Sequence, residues 1–278
     1  MPELPEVETM RRGILGAVGG RLVEVERLAC PRKPINLAPR VDAFRRRTTG
    51  QDIAAIDRIG KRVVLRLGSG DAIVIEPRMT GLVLTCDPPD PLYLRLRFTV
   101  SGAKLREFWY WDRRGLGHVR LLTPAQQLAA LGPTKLGPDA LTVTAELLRE
   151  RLGGSRRAIK VALLDQKAVL GIGNLYAAEI LFVAGVHPAA RCDQLSRPVW
   201  RRIADATLAV LEEAILYEGS TLSDGTYRNV LNQDGGYQNQ HRVYDKAGEP
   251  CGHCGAPIRR IVQAQRATFY CPGCQRRK

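Results

Sequence analysis

No apolar run in this 278-residue chain approaches the ~20 residues that a bilayer-spanning helix needs, so such a helix is excluded. The start, Met-Pro-Glu-Leu-Pro-Glu-Val-Glu, lacks the basic and apolar regions of a secretory signal, and a bacterial cytosolic protein is the expectation. Internal repeats and low-complexity tracts are absent as well. Acidic residues are in short supply: 28 Asp and Glu stand against 42 Lys and Arg, a net charge of +14. A surplus of that size points to a polyanionic partner, because cations that neutralise phosphates release counterions whatever the sequence they meet. A soluble basic protein without a nucleic-acid partner is the alternative on charge alone. The seven cysteines are an odd number, which excludes a fully paired disulfide framework. Cys30, Cys86 and Cys192 are scattered and read as unpaired thiols of a reducing compartment.

The length suffices for two or three domains. Apolar residues at 4, 7, 10, 14, 15 and 18 have helical spacing, so a helix is expected from Leu4 to about Val18, with Pro5 in its first turn. From about Arg21 to Leu122 the pattern changes to short β-type runs such as Val63–Leu67, Ala72–Ile75 and Leu92–Phe98. Gly68-Ser69-Gly70 and Asp87-Pro88-Pro89-Asp90 punctuate them as turns. The alternation Leu94-Arg95-Leu96-Arg97-Phe98 implies strands with one buried face, hence an antiparallel sandwich or barrel. Leu131–Pro138 reads as a linker, followed by helical patterns over Ala140–Leu152, Ser155–Leu164, Asn174–Ala184 and Pro198–Tyr217. Gly219–Gln240 has little periodicity and reads as a long loop.

Two motifs carry chemistry on their own residues. Cys251-Gly-His-Cys254 and Cys271-Pro-Gly-Cys274, with 16 residues between them, supply four thiolates for a tetrahedral structural zinc ion. His253 lies inside a knuckle, but four cysteines already fill the site. The basic segment Ile258–Tyr270 between the knuckles is expected to be a β-hairpin with arginines at its tip. The second motif, Gly171-Ile172-Gly173-Asn174, joins two helices, and its glycines and helix start suit close approach of an anion. Asn174 could donate to a phosphate or cap the helix, and Lys167 tilts the turn towards a phosphate clamp. A plain helical hairpin turn is the competing reading.

Taken together, Pro2-Glu3-Leu4-Pro5-Glu6-Val7-Glu8, Gly60-Lys61-Arg62, Arg78-Met79-Thr80-Gly81, Asp165-Gln166-Lys167 with Gly171–Asn174, and Gln265–Cys271 resemble the formamidopyrimidine-DNA glycosylase and endonuclease VIII family. These motifs lie in the family's order and span essentially the whole chain. The first and last look like the formamidopyrimidine branch. The resemblance implies an α+β protein: an N-terminal antiparallel β-sandwich with flanking helices over 1–132, a helix–two-turn–helix domain with a lesion-covering loop over 139–240, and a zinc-ribbon finger over 241–278. It implies a bifunctional DNA-formamidopyrimidine glycosylase and abasic-site lyase of base-excision repair, holding one structural zinc ion and acting as a monomer on double-stranded DNA that contains an oxidised purine.

The resemblance also assigns roles. Removal of Met1 exposes the amine of Pro2, whose reference pKa near 7.7–8.0 leaves an appreciable free fraction at neutral pH. Pro2 would attack the sugar and form a charged Schiff base as the electron sink for β,δ-elimination. Glu3 would act as general acid and base on the sugar oxygen or departing base. Without the resemblance, the acids at this end read simply as helix N-terminal charge. Lys61, otherwise a surface lysine, would protonate the departing base, and Arg266 at the finger tip would hold the flanking phosphates and assist the second elimination. Lys167 and Asn174 would grip the backbone. Met79 and Arg114 would fill the gap left by the extruded nucleotide, against the plainer readings of a core methionine and a surface arginine. The chain departs from the family at Asp112-Arg113-Arg114-Gly115-Leu116-Gly117, where Leu116 stands in place of a wedging Phe. Leucine fills space but cannot stack on a base. Two other readings stand beside this one: an endonuclease VIII-like enzyme for oxidised pyrimidines, and a non-catalytic damage-binding protein.

Overall fold

The computed structural model describes residues 1–277, which fall into two compact units: Met1–Gly132 with Tyr217–Gln238, and Pro133–Leu216 with Asn239 onward. The first unit opens with helix α1 (Leu4–Gly13), which buries Leu4, Val7 and Met10 completely. The helical spacing runs on to Val18, but Ile14 leaves the α conformation and only a 3-10 turn over Leu15–Ala17 follows. Glycines at 13, 16, 19 and 20 explain that early stop.

Nine strands follow in this unit: β1 (Arg21–Arg27), β2 (Asn36–Ala38), β3 (Ile53–Arg58), β4 (Val63–Leu67), β5 (Ala72–Glu76), β6 (Gly81–Leu84), β7 (Leu94–Ser101), β8 (Glu107–Asp112) and β9 (His118–Leu122). They form a four-stranded sheet in the order β1-β7-β8-β6 and a five-stranded sheet in the order β2-β9-β5-β4-β3. The inner faces of both sheets and α1 share one core that includes Leu22, Phe98, Phe108, Leu65, Ile73 and Val7, so the unit is a sandwich. All pairings are antiparallel except β2 with β9, where Asn36 faces His118. The long stretch of chain between those two strands removes the need for a hairpin connection, which is what permits a parallel pair.

Two further helices belong to this unit, α2 (Val41–Thr48) inside the strand region and α3 (Pro124–Leu131) just after it. Thr123 and Gln126 close a capping box around the start of α3. Leu131 and Ala130 of α3 pack with Val64, Ala72, Val74 and Leu122 on the outer face of the five-stranded sheet. That cover explains why β4 and β5 read as nearly continuous apolar runs, buried on both faces.

The second unit contains α4 (Ala145–Leu152), α5 (Ile159–Leu163), α6 (Asn174–Val183), α7 (Arg197–Leu216) and the hairpin β10 (Arg259–Gln263) and β11 (Arg266–Tyr270). Helix α7 packs on α4 and α6, and α6 packs on β11. The patterns over 140–152 and 155–164 are realised as a 3-10 turn plus α4 and as the short α5, since Gly153 and Gly154 interrupt the chain between them.

Candidate active site and nucleic-acid interface

In the first unit, Pro2 and Glu3 are buried at the start of α1, and Glu3 is its N-cap residue. The Glu3 N–H donates to Glu6 Oε2 at 2.8 Å. The other oxygen of Glu6 accepts from the Ser220 N–H at 3.0 Å. One carboxylate therefore ties the residue after Pro2 to the loop that leaves α7. Gly219 has φ +82°, and a Cβ there would lie 2.9 Å from Glu6 Oε1, so only glycine allows this approach.

The loop itself is long but closed at its neck. The Gly236 N–H donates to the Tyr217 carbonyl at 2.7 Å and the Tyr237 N–H to the Gly219 carbonyl at 2.9 Å. Within it, the Tyr227 hydroxyl donates to the Glu218 carbonyl at 2.8 Å and Asn229 Nδ2 to the Glu218 carboxylate at 2.6 Å. Burial, followed by the nearby Glu6 carboxylate, pushes the Tyr227 phenol well above its usual range, so it stays a neutral donor. These contacts close the loop on itself.

Lys61 is half-buried just before β4, and α1 packs against β3, β4 and β6. A chain of contacts fixes the residue that precedes it. The Glu8 carboxylate on α1 pairs with Arg58 at 3.2 Å, and Arg58 Nη1 donates to the Gly60 carbonyl at 3.0 Å. Arg11 and Arg12 also pair with Glu8, each at 2.8 Å. Burial alone would raise the Glu8 pKa, but the hydrogen bonds of Arg11 and Arg12 and the charges of Arg11 and Arg58 hold it at about 2.

Met79 is 39% exposed, which excludes a core methionine. Its turn is strained at Arg78 (φ +58°), whose guanidinium pairs at 3.1 Å with Glu76. Arg114 is exposed, and Leu116 is half-buried two residues on. Gly115 between them has φ +62°, and a Cβ there would meet the Lys33 carbonyl oxygen.

In the second unit, the glycine turn is organised by Gln166. Its amide donates to the carbonyls of Leu164 (3.0 Å) and Ile172 (2.9 Å), and its oxygen accepts from the Gly171 N–H at 3.0 Å. Gly173 is the N-cap of α6 and Asn174 is the first helical residue, so Asn174 does not cap the helix. Its Nδ2 instead donates to the Ala267 carbonyl at 3.0 Å, next to Arg266. The structure thus sets Asn174 against the strand that carries Arg266, while Lys167 is exposed on the turn itself.

Sequence reasoning missed the group behind this contact. Lys160 is fully buried on α5, and its ammonium donates to Asn174 Oδ1, to Thr268 Oγ1 at 2.8 Å and to the Ala267 carbonyl at 3.2 Å. Its signal was a single charge inside the apolar run Ala158–Leu164. Glu179 on α6 is the second such group. Fully buried, it accepts from the N–H groups of Arg242, Val243 and Tyr244 at 2.8–3.0 Å. Burial raises its pKa in spite of those three donors.

The finger hairpin turns at Ala264 and Gln265, both at positive φ, the twist expected of a two-residue type I′ turn. Arg266 leaves this tip exposed. The Sγ atoms of Cys251, Cys254, Cys271 and Cys274 all lie within 4.8 Å of one another, and no histidine belongs to the cluster among the described residues. That spacing fits four thiolates around one zinc ion, and a closed four-thiolate site makes the metal structural. Gly273 allows the fold of the knuckle, since a Cβ there would lie 2.7 Å from Cys254 Sγ.

Comparison with known proteins gives this arrangement a family. Residues 1–119 match the formamidopyrimidine-DNA glycosylase N-terminal domain, residues 136–226 its H2TH domain, and residues 248–277 the zinc finger found in FPG and IleRS. The formamidopyrimidine-DNA glycosylase of Bacillus subtilis is 38% identical over 283 residues, covering 100% of both chains. The crystal structure of the Thermus thermophilus MutM (Fpg) protein superposes with a TM-score of 0.84 at 34% identity, covering 99% of this chain and 98% of that one. A Lactococcus lactis Fpg solved in complex with abasic-site DNA gives a TM-score of 0.85 at 30% identity, with 99% and 100% covered. The chain belongs to the formamidopyrimidine-DNA glycosylase family, the DNA glycosylases of base-excision repair.

Proposed function

We propose that the protein excises oxidised purines, 8-oxoguanine and formamidopyrimidines, from double-stranded DNA and then nicks the abasic site through a Schiff base on Pro2. The observation that carries this reading is the fixed N-terminus: Pro2 buried at the head of α1, beside a Glu3 whose N–H is held by Glu6. Removal of Met1 frees the secondary amine. Its nitrogen bonds to C1′ as the glycosidic bond breaks, and the base departs with a proton from Lys61. Glu3 takes the proton that the bonded nitrogen sheds and passes it to the ring oxygen, so the sugar opens to an iminium. That cation makes the C2′ proton acidic; its loss expels the 3′ phosphate, and a second elimination expels the 5′ phosphate. Water then releases the sugar fragment and regenerates the amine.

Arg266 holds the flanking phosphates and assists the second elimination, and Asn174 and Lys167 grip the backbone. The bonds from Asn174 and Lys160 to the Ala267 carbonyl support this division of labour, because they set the strand on which Arg266 stands. Met79, Arg114 and Leu116 fill the gap left by the extruded nucleotide. The reading takes the zinc-loaded monomer as the acting species, in the bacterial cytosol. Its test is base release over a panel of duplexes. Release of 8-oxoguanine opposite cytosine and of formamidopyrimidines is expected, and activity on thymine glycol alone would replace this reading with a pyrimidine-specific one.

A further inference from the structure

Asp112 ends β8 fully buried, and a buried carboxylate persists only where donors offset its desolvation. Its donors come from two different loops. Thr80 Oγ1 donates to Oδ1 at 2.5 Å, from the turn that carries Met79. The Arg114 N–H reaches the same oxygen at 3.1 Å, and the Gly117 N–H reaches Oδ2 at 2.8 Å, so both ends of the Arg114–Leu116 loop are held. The Arg114 N–H is shared with Thr80 Oγ1 at 3.0 Å, which joins the two loops directly. Behind them, the Asp112 carbonyl accepts from the buried Arg95 at 2.9 Å, fixing the backbone of the carboxylate itself.

The neighbouring side chain leaves no slack. The Tyr110 hydroxyl lies where a Cβ on Gly117 or on Gly81 would fall, so both loops enter the sheet against the same ring. Met79 and Arg114 nevertheless point outward and are exposed. A pair of loops with buried, mutually bonded roots and exposed tips is one rigid body. Two loops that moved independently would each lose conformational freedom on entering DNA, whereas a locked pair has lost it already.

We propose that Asp112, with Thr80, is a positioning residue that locks the Met79 turn and the Arg114–Leu116 loop into one wedge, so that they enter the duplex together. The inference rests on the reading that these tips fill the gap beside an extruded base. It extends that reading to a residue that touches neither substrate nor the reacting atoms. Asp112→Asn places an amide donor against one of the three donors, and Thr80→Val removes the bridging hydroxyl with little change in volume. Thr80→Ser keeps the hydroxyl.

The test uses the zinc-loaded full chain and two substrates. One is a duplex with 8-oxoguanine opposite cytosine, followed by single-turnover base release. The other is a single-stranded abasic oligonucleotide, which has no orphan base to face, followed by borohydride trapping. Base release from the duplex is expected to fall about 10- to 100-fold in Asp112→Asn and Thr80→Val, the effect of one buried donor or acceptor left unmatched. Thr80→Ser should stay within about twofold of the parent, and trapping on the single strand should stay within about twofold for all three. Combined with Met79→Ala and Leu116→Ala, Asp112→Asn should cause no further loss. Equal losses on both substrates, full additivity with the tip substitutions, or an unchanged rate on the duplex would each overturn the proposal. Absence of trapping by the parent protein would overturn the Schiff-base reading instead, and so separates the two failures.

Discussion

Glu6 and Glu8 stand two residues apart on α1, on different faces of the helix, and hold different groups. Glu6 uses its two oxygens on the backbone of Glu3 and Ser220, and Glu8 gathers Arg11, Arg12 and Arg58. Because the Glu8 carboxyl is held at about 2 in the folded chain, below its ordinary 4.5, it stabilises the fold fully above pH ~4.5. That contribution is lost as pH falls towards 2. Glu8→Gln should therefore lower the unfolding midpoint at neutral pH, with the gap to the parent closing between pH ~4.5 and 2, as thermal melts over that range would show. A constant gap down to pH 2 would mean that Glu8 acts through packing. On the residues alone these acids read as helix N-terminal charge, and the family resemblance adds only that Glu6 helps to hold the terminus in place. Nothing in a one-dimensional pattern shows that Glu6 meets a loop more than two hundred residues away, or that Arg58 relays Glu8 to the residue before Lys61. Lys160 is the opposite case, since a lone charge in the apolar run Ala158–Leu164 is visible in the sequence itself.

The elements were more readable than their partners. The strands of the sandwich, the long helix α7 and the finger hairpin follow from alternation, apolar spacing and paired knuckles. Helix α2 was hidden because Val41–Thr48 carries three consecutive arginines and buries only Phe44 and Thr48. Helix α3 lay just beyond the last β-type run and buries none of its residues fully. The parallel β2–β9 pair was beyond reach, since pairing direction depends on a connection that local pattern does not describe. At this scale zinc governs the hairpin. Four cysteine sulfurs within 4.8 Å have little reason to stay together once the metal is gone. Chelation, or Cys254→Ser, should release zinc and abolish DNA binding while thermal melting of the sandwich unit is kept. Retention of tight binding without metal would show that Arg266 does not depend on the finger for its placement.

Over the whole molecule, a charge of +14 anticipates DNA but not the reaction done on it. The family match rests on the full length of the chain, and the departure at Leu116 lies in the one loop where an aromatic residue would stack. On the proposed function, substrate preference is set by the wedge, and the chemistry by the N-terminus. The N-terminus is the better-fixed of the two in the structure: Pro2 is buried, and the N–H of its neighbour Glu3 is bonded to Glu6. Pro2 is the proposed nucleophile. Its most direct test is borohydride reduction of the mature protein on abasic-site duplex DNA, with the adduct mapped by peptide mass. A single covalent adduct on the amine of Pro2 is the expected result. No adduct, or one carried by a lysine such as Lys61, would contradict it.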